Sequence, residues 1–510
     1  MIGLFFKFGR FFSVRNLDLV LLILLSPGLL LVYFGGEILK REQLPATRQS
    51  DSVRPADAVS DTVQGSTASP QSATGEAEAA ATASVALPSS EDAAPAAKPA
   101  SSELALTELS ASAPTVPAVP RSRLSGRSLQ YLGFVWLLST CGLLLIRLLL
   151  DPTMVRRPLL EPNLTPGGLT FVGCSLFVFL MANVVNSQVQ EEDLAGARGA
   201  DSLLAGVADQ DGLSELRERG PGNAVLHFVP SLATVPLNWT DRSSADSNVR
   251  YVRTAKAMAI FSHMAIVIGI VAVGYRHFDN IRMGIGAATL YLMLPYTSQM
   301  TGRVDHVVPA ALLVWAVLCY RRPMTAGMFM GLAIGVIYYP LFLLPLWISF
   351  YWQRGLMRFL AGVVLTLLVS VLSLAVVSVD MADFLSKVQL MFGIFRPLSE
   401  GLRGIWQLGW DPVFRYPVLA AFVALSGAMA IWPAQKNLGT LLSCSAAIMV
   451  ATQFWHGFGG GLYMAWFLPL VLLTIFRPNL EDRVALSVLG EGWFQRRRHR
   501  AGLNGAERAA

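Results

Sequence analysis

In a chain with few charges, the side chains able to do chemistry are the ionisable ones at the ends of apolar stretches. The turn TGRVDH places Arg303, Asp305 and His306 together between two apolar segments. A carboxylate or imidazole there can take a proton from a hydroxyl, and a planar guanidinium fits a phosphate through paired hydrogen bonds. The same residues can also form an interfacial ion pair and do nothing more. Glu37, in FGGEILKREQ, stands just past the first apolar segment with Lys40, Arg41 and Glu42 behind it. It is either a solvated interface residue or a general base facing a pocket between helices.

Three further stretches carry candidate binding groups. His456 lies in QFWHGFGGGLYMAWFLPL beside Gln453, Trp455 and Tyr463, and is either a packed interfacial residue or part of a site. Its GFGGG neighbour lacks the strand and helix of a nucleotide-binding loop and reads as a turn. The segment 380–413 holds Lys387, Arg396, Arg403, Trp406, Trp410 and Asp411. It is too polar to span a bilayer and too aromatic for a plain loop, which predicts amphipathic helices at headgroup level. Arg396 and Arg403 could hold a lipid-linked phosphate there, with tryptophans stacking on sugar or lipid. Simple packing is the rival reading.

The elements that must position these residues are membrane helices. The chain is 53% hydrophobic and only 15% charged, more apolar surface than a soluble fold of this length can hide. The apolar residues come in charge-poor blocks close to the length that crosses a bilayer core of about 30 Å. The predicted class is all-α and polytopic, with roughly ten to twelve transmembrane helices and both termini cytoplasmic. The predicted organisation is an amphipathic start and first span (1–44), a disordered Ala/Ser/Pro-rich external tract (45–127) and spans two and three (128–185). An external polar loop with short helices (186–252), spans four to nine (253–379), the external segment 380–413, spans ten to twelve (414–478) and a basic tail (479–510) complete it. Tyr338, Tyr339 and Pro340 interrupt one apolar block, as a proline must.

Basic residues support that orientation. Arg156 and Arg157, Arg276 and Arg282, Arg321 and Arg322, Arg354 and Arg358, Lys436 and the tail arginines all fall on one face when the N-terminus starts inside. The net charge of +6 is therefore read as orientation and not as nucleic-acid binding. Cys141, Cys174, Cys319 and Cys444 sit in apolar blocks without metal or redox spacing. The expected location is a bacterial inner membrane, with membrane lipid as the surrounding partner. No metal ligand set is evident, no cofactor can be named, and protein partners are not specified.

The stretch RRPMTAGMFMGLAIGVIYYPLFLLPLW (321–347) resembles the multi-pass GT-C glycosyltransferases that use polyprenyl-phosphate sugars, especially the mannosyltransferase-like branch. Arg321, Arg322, Ala326, Gly327, Gly331, Leu332, Ala333, Tyr339, Pro340 and Leu341 carry the likeness. YMAWFLPLVLL (463–473) is similar to the closing helix of the same superfamily. The resemblance implies transfer of a sugar from an outward-facing polyprenyl phosphate to a lipid, glycan or protein acceptor. Asp305, His306 or Glu37 would then supply the catalytic groups, and Arg303, Arg396, Arg403, Trp410, His456 and Tyr339 the substrate contacts. Two positions depart from the family pattern. Ile337 stands where a lysine is common, and the first external loop offers only Glu37 as its acid. A secondary transporter and a non-catalytic scaffold are the readings from other classes. Transport predicts polar groups at mid-bilayer depth, and these spans lack midplane charges and show no inverted repeat.

Overall fold

The computed structural model describes residues 13–50, 125–154, 161–205, 220–234, 244–391, 401–433 and 436–478. The chain divides into two units, residues 1–41 with 124–510, and residues 42–123. The expected tether over 45–127 lies almost wholly outside the described residues, as do Arg156, Arg157, Arg396 and the basic tail.

The described residues are helical, with no strand among them. Helix α1 is Val14–Ser50, α2 Gly126–Leu149 and α3 Pro166–Asn186. Two helices, α4 (Glu191–Ala205) and α5 (Gly222–Thr234), occupy the polar stretch that follows. Then come α6 (Ser244–His277), α7 (Ile281–Met293), α8 (Pro295–Gln299), α9 (Val304–Leu318) and α10 (Pro323–Val336). The chain continues through α11 (Leu344–Tyr351), α12 (Leu356–Val376), α13 (Met381–Met391), α14 (Ile405–Leu408), α15 (Arg415–Ile431), α16 (Leu438–Trp455) and α17 (Leu468–Phe476).

Seven of these helices are long and apolar enough to cross a membrane: α1, α2, α3, α6, α12, α15 and α16. The outward faces of α3 and α12 present Phe171, Phe179, Val364 and Leu372 to the surroundings, as lipid-facing helices do. The protein is an all-α membrane protein.

Local sequence accounts for the helix ends. Asn437 caps α16 in a reciprocal capping box with Thr440, Asn280 caps α7 through Met283, and Thr165 caps α3 ahead of Pro166. The interruption at Tyr338–Pro340 is present: α10 stops at Val336 and a single 3-10 turn, Tyr339–Leu343, leads into α11. Helix α1 overruns its expected end and continues to Ser50.

Helices α10 and α12 pack backbone against backbone. Gly327, Gly331 and Gly335 recur every fourth residue and face Gly362, Thr366 and Ser370, which share that spacing. A Cβ on Gly327 would collide with the Phe359 carbonyl, and one on Gly331 with the Thr366 hydroxyl and the Val363 backbone. Small residues let the backbones approach, which is how helices associate where burial gives no hydrophobic gain. Gly331→Val is expected to destabilise the bundle by about 1–3 kcal/mol, read as a lower unfolding midpoint in detergent. Gly427→Ala on α15, where a Cβ meets open space, should leave the midpoint unchanged.

The bundle has two distinguishable ends. At one, a buried network links Asp18, Arg147, Asp151 and Arg477: Arg147 Nε lies 2.7 Å from Asp18, its Nη1 3.0 Å from Asp151, and Arg477 Nη2 2.6 Å from Asp151. The start of α1 and the ends of α2 and α17 therefore meet. The same end gathers the ends of α6 and α9, where His277 donates to the Leu318 carbonyl, and of α9 and α11, where Tyr351 donates to the Tyr320 carbonyl. The opposite end holds the candidate site.

Candidate functional site

Helix α3 ends at Asn186, and α4 opens a few residues later with Glu191, Glu192 and Asp193 in its first turn. Acids are favoured there because the unpaired amides leave that terminus partly positive. Arg303 is the N-cap of α9, with Asp305 in that helix's first turn.

Packing brings the two helix starts together. Arg303 Nη2 lies 2.9 Å from Glu192 and 3.2 Å from Asp305, and its Nε lies 3.4 Å from Asp193. Its Nη1 donates to the Gln190 side chain. Asp193 also accepts the Val304 amide at 3.1 Å, tying α4 to the start of α9. Glu192 is shared: its second oxygen accepts from Arg403 Nη1 at 2.8 Å, and the Arg403 amide donates to the Gly457 carbonyl at 2.8 Å.

Electrostatics follow from this geometry. Burial alone would raise Glu192, but the Arg403 hydrogen bond and the charges of Arg303 and Arg403 hold its carboxyl below the usual range. Burial would likewise depress Arg303, and Asp305, Asp193 and Glu192 together keep it above the ordinary arginine value.

A ring cluster adjoins the charges. Tyr296 Oη lies 2.5 Å from His306 Nδ1, and His306 Nε2 is 3.8 Å from Asp305 Oδ1. The Tyr463 ring lies between the two histidines, 4.4 Å from each, and Tyr339 is 4.8 Å from His456. Trp466 Nε1 donates to the Asp305 carbonyl at 3.2 Å. His456 Nδ1 accepts the Phe458 amide at 3.1 Å, which leaves the ring proton on Nε2. Burial first, then the Arg415 charge, push the His456 imidazole down to about 3, so it is neutral at physiological pH.

No family model, curated protein or solved structure matches this chain. Its site must therefore be read from the residues alone. Asp305, His306, Arg303, His456 and Tyr339 form one connected cluster, which Arg403 joins through Glu192. Glu37 does not join it. This carboxylate sits 3.1 Å from Lys40 one turn further along α1, and none of its contacts reaches the cluster. Trp410 also stays outside, with its Nε1 3.4 Å from the Tyr131 hydroxyl and its ring against Trp406 and Phe414. Arg396 lies outside the described residues.

Arg303 requires a correction of role. Three carboxylates and an amide surround its guanidinium, so its fork is engaged in holding the site together and is not presented to a phosphate. Arg403 pairs with Glu192 through one nitrogen, and its side chain is 59% exposed. Among the described residues no group of His, Cys, Asp or Glu is arranged to hold a metal ion; Arg303 is the cation at which the carboxylates converge.

Sequence reasoning passed over Glu192, Asp193, Tyr296 and Arg415. A signal existed for the first two, since an acidic run directly after an apolar segment needs a counter-charge. Arg415 is buried and donates through Nε and Nη2 to the Trp455 carbonyl, satisfying a carbonyl in the buried last turn of α16. It thereby fixes the turn that carries His456. The residues resembling the GT-C stretch have a packing role here: Ala326, Gly327, Gly331 and Ala333 are buried, and the two glycines form the α10 seam.

Proposed function

We propose that this chain is a membrane glycosyltransferase of GT-C type, moving a sugar from an outward-facing polyprenyl phosphate to an acceptor hydroxyl. The supporting observation is the buried Asp305–His306 pair, with two further carboxylates, at one end of an apolar helical bundle. Asp305 is the proton acceptor, and His306 and Tyr296 orient the acceptor. The acceptor oxygen bonds to the anomeric carbon as its proton passes to the carboxylate. The bond from that carbon to the phosphate oxygen breaks in the same step, its electron pair leaving on the phosphate, so the configuration inverts. Arg403 balances the departing charge.

In this reading the seven long helices, the four shorter apolar stretches Ile281–Met293, Val304–Leu318, Pro323–Val336 and Tyr339–Tyr351, and α17 provide twelve crossings of a bacterial inner membrane. Both termini are cytoplasmic and the site is external. The shorter helices are acceptable as crossings because they are packed inside the bundle, where neighbours satisfy broken backbone. A transporter reading gains no support from the position of the cluster, which lies at a bundle end.

Asp305→Asn keeps the shape and the Trp466 contact but removes the proton-accepting charge. In membranes supplied with polyprenyl-phosphate sugars, transfer should fall by on the order of 10²- to 10⁴-fold with the protein still folded. Undiminished transfer by the variant rejects Asp305 as the base. Absence of transfer by the wild-type chain from any such donor rejects the reading.

A further inference from the structure

Five arginines gather at the end of the bundle opposite the candidate site. Arg276 lies in the last turn of α6, Arg321 and Arg322 form the turn from α9 to α10, and Arg354 and Arg358 flank the start of α12. Packing joins these turns. Tyr351 donates to the Tyr320 carbonyl, a Cβ on Gly355 would meet the Pro323 ring at 2.7 Å, and the charges of Arg276 and Arg322 both act on Cys319. Membrane orientation asks for basic residues on one face, but not for their convergence.

No carboxylate among the described residues neutralises them. Arg321 donates to the Tyr320 hydroxyl at 3.2 Å, and the other four have no ion pair or side-chain hydrogen bond. Asp18 and Asp151 at the same end are taken by Arg147 and Arg477, and Asp279 forms no ion pair. The backbone adds to the excess. Helices α10 and α12 run parallel, since Gly327, Gly331 and Gly335 meet Phe359, Val363 and Ser370 in that order. Both helices therefore begin beside the arginines, with no acid in either first turn, and their partly positive starts repel further cations.

The neighbouring side chains select the kind of anion. Trp352 is 69% exposed, Met357 78% and Met324 47%, in the same turns as the arginines. Such an apolar rim suits acyl chains, with tryptophan at headgroup level. A planar guanidinium pairs with phosphate through two N–H groups. A phospholipid answers both features, whereas a soluble anion leaves the rim uncovered.

We propose that Arg322, Arg354 and Arg358 hold the phosphate of an anionic phospholipid in the leaflet at this end, with Arg276 at its edge and Trp352 and Met357 against its chains. This site does not depend on the glycosyl-transfer reading.

The test measures unfolding midpoints of the full chain in dodecyl maltoside with phosphatidylglycerol, phosphatidylcholine or inorganic phosphate added. Phosphatidylglycerol should raise the wild-type midpoint, as a ligand of the native state does, and the other two should not. Each of Arg322→Gln, Arg354→Gln and Arg358→Gln should weaken the apparent affinity on the order of tenfold, and the triple variant should lose the response. Because these side chains lack protein partners, the lipid-free midpoint of each variant should stay level or rise, so a lost response is not a lost fold. Arg127→Gln, which removes an exposed arginine at the start of α2, should keep the full response. Equal stabilisation by phosphatidylcholine overturns the proposal by showing that the apolar rim binds alone, and equal stabilisation by inorganic phosphate overturns it in favour of a soluble anion. A response that survives the triple substitution, or that Arg127→Gln weakens as much, also overturns it.

Discussion

Arg303→Ala is expected to destabilise the protein by about 3–5 kcal/mol, the typical effect of removing one partner from a buried charge cluster. Asp193 and Asp305 are almost fully buried, with side chains 2% and 6% exposed, so water cannot replace the lost guanidinium. Arg303→Lys should recover only part of the loss, because an ammonium cannot reach three carboxylates in the planar arrangement that the guanidinium uses. The pH dependence separates this account from simple loss of packing. In the wild-type protein Glu192 has a depressed folded-state pKa. It therefore contributes stability that is present above its unfolded value of about 4.3 and disappears as pH falls through the lower folded value. In Arg303→Ala the clustered carboxylates favour protonation, so stability should rise as pH is lowered from neutral. Unfolding midpoints of both proteins across pH would show opposite slopes. Parallel slopes would mean that Arg303 acts by its volume and not its charge.

The second large effect is expected at the other end of the bundle. Arg147 bridges Asp18 and Asp151, and all three side chains are at most 6% exposed. Arg147→Ala removes the guanidinium that the two carboxylates share and should also cost about 3–5 kcal/mol. Arg477 stays beside Asp151, whereas Asp18 ties α1 to the network through Arg147. The Arg477 guanidinium is itself pushed down to about 10, by burial first and then by the Arg147 charge. The loss should therefore concentrate on α1. A cysteine in place of Leu21, which is 4% exposed, should react with a membrane-permeant maleimide in Arg147→Ala and resist it in the wild-type background. A thermal shift without that local exposure would mean the network supports the bundle as a whole.

What was legible in the sequence was what depends on short stretches of chain. Apolar block length located the helices that can cross a bilayer, because crossing length is a local property. Pro340 marked the end of α10 for the equally local reason that it cannot donate a hydrogen bond or tolerate helix behind it. The turn TGRVDH stood out because charge is scarce around it. Tertiary structure alone decided what that turn does. Arg303 pairs with Glu192 across 111 residues of chain, and neither local spacing nor hydropathy specifies such a partner. Packing also left Glu37 on Lys40, and turned glycines that look like a family signature into the seam between α10 and α12. Segment hydrophobicity selects which residues leave water. Which buried charges then neutralise one another depends on how helix ends are brought together, and that geometry is set by side-chain packing along the whole bundle.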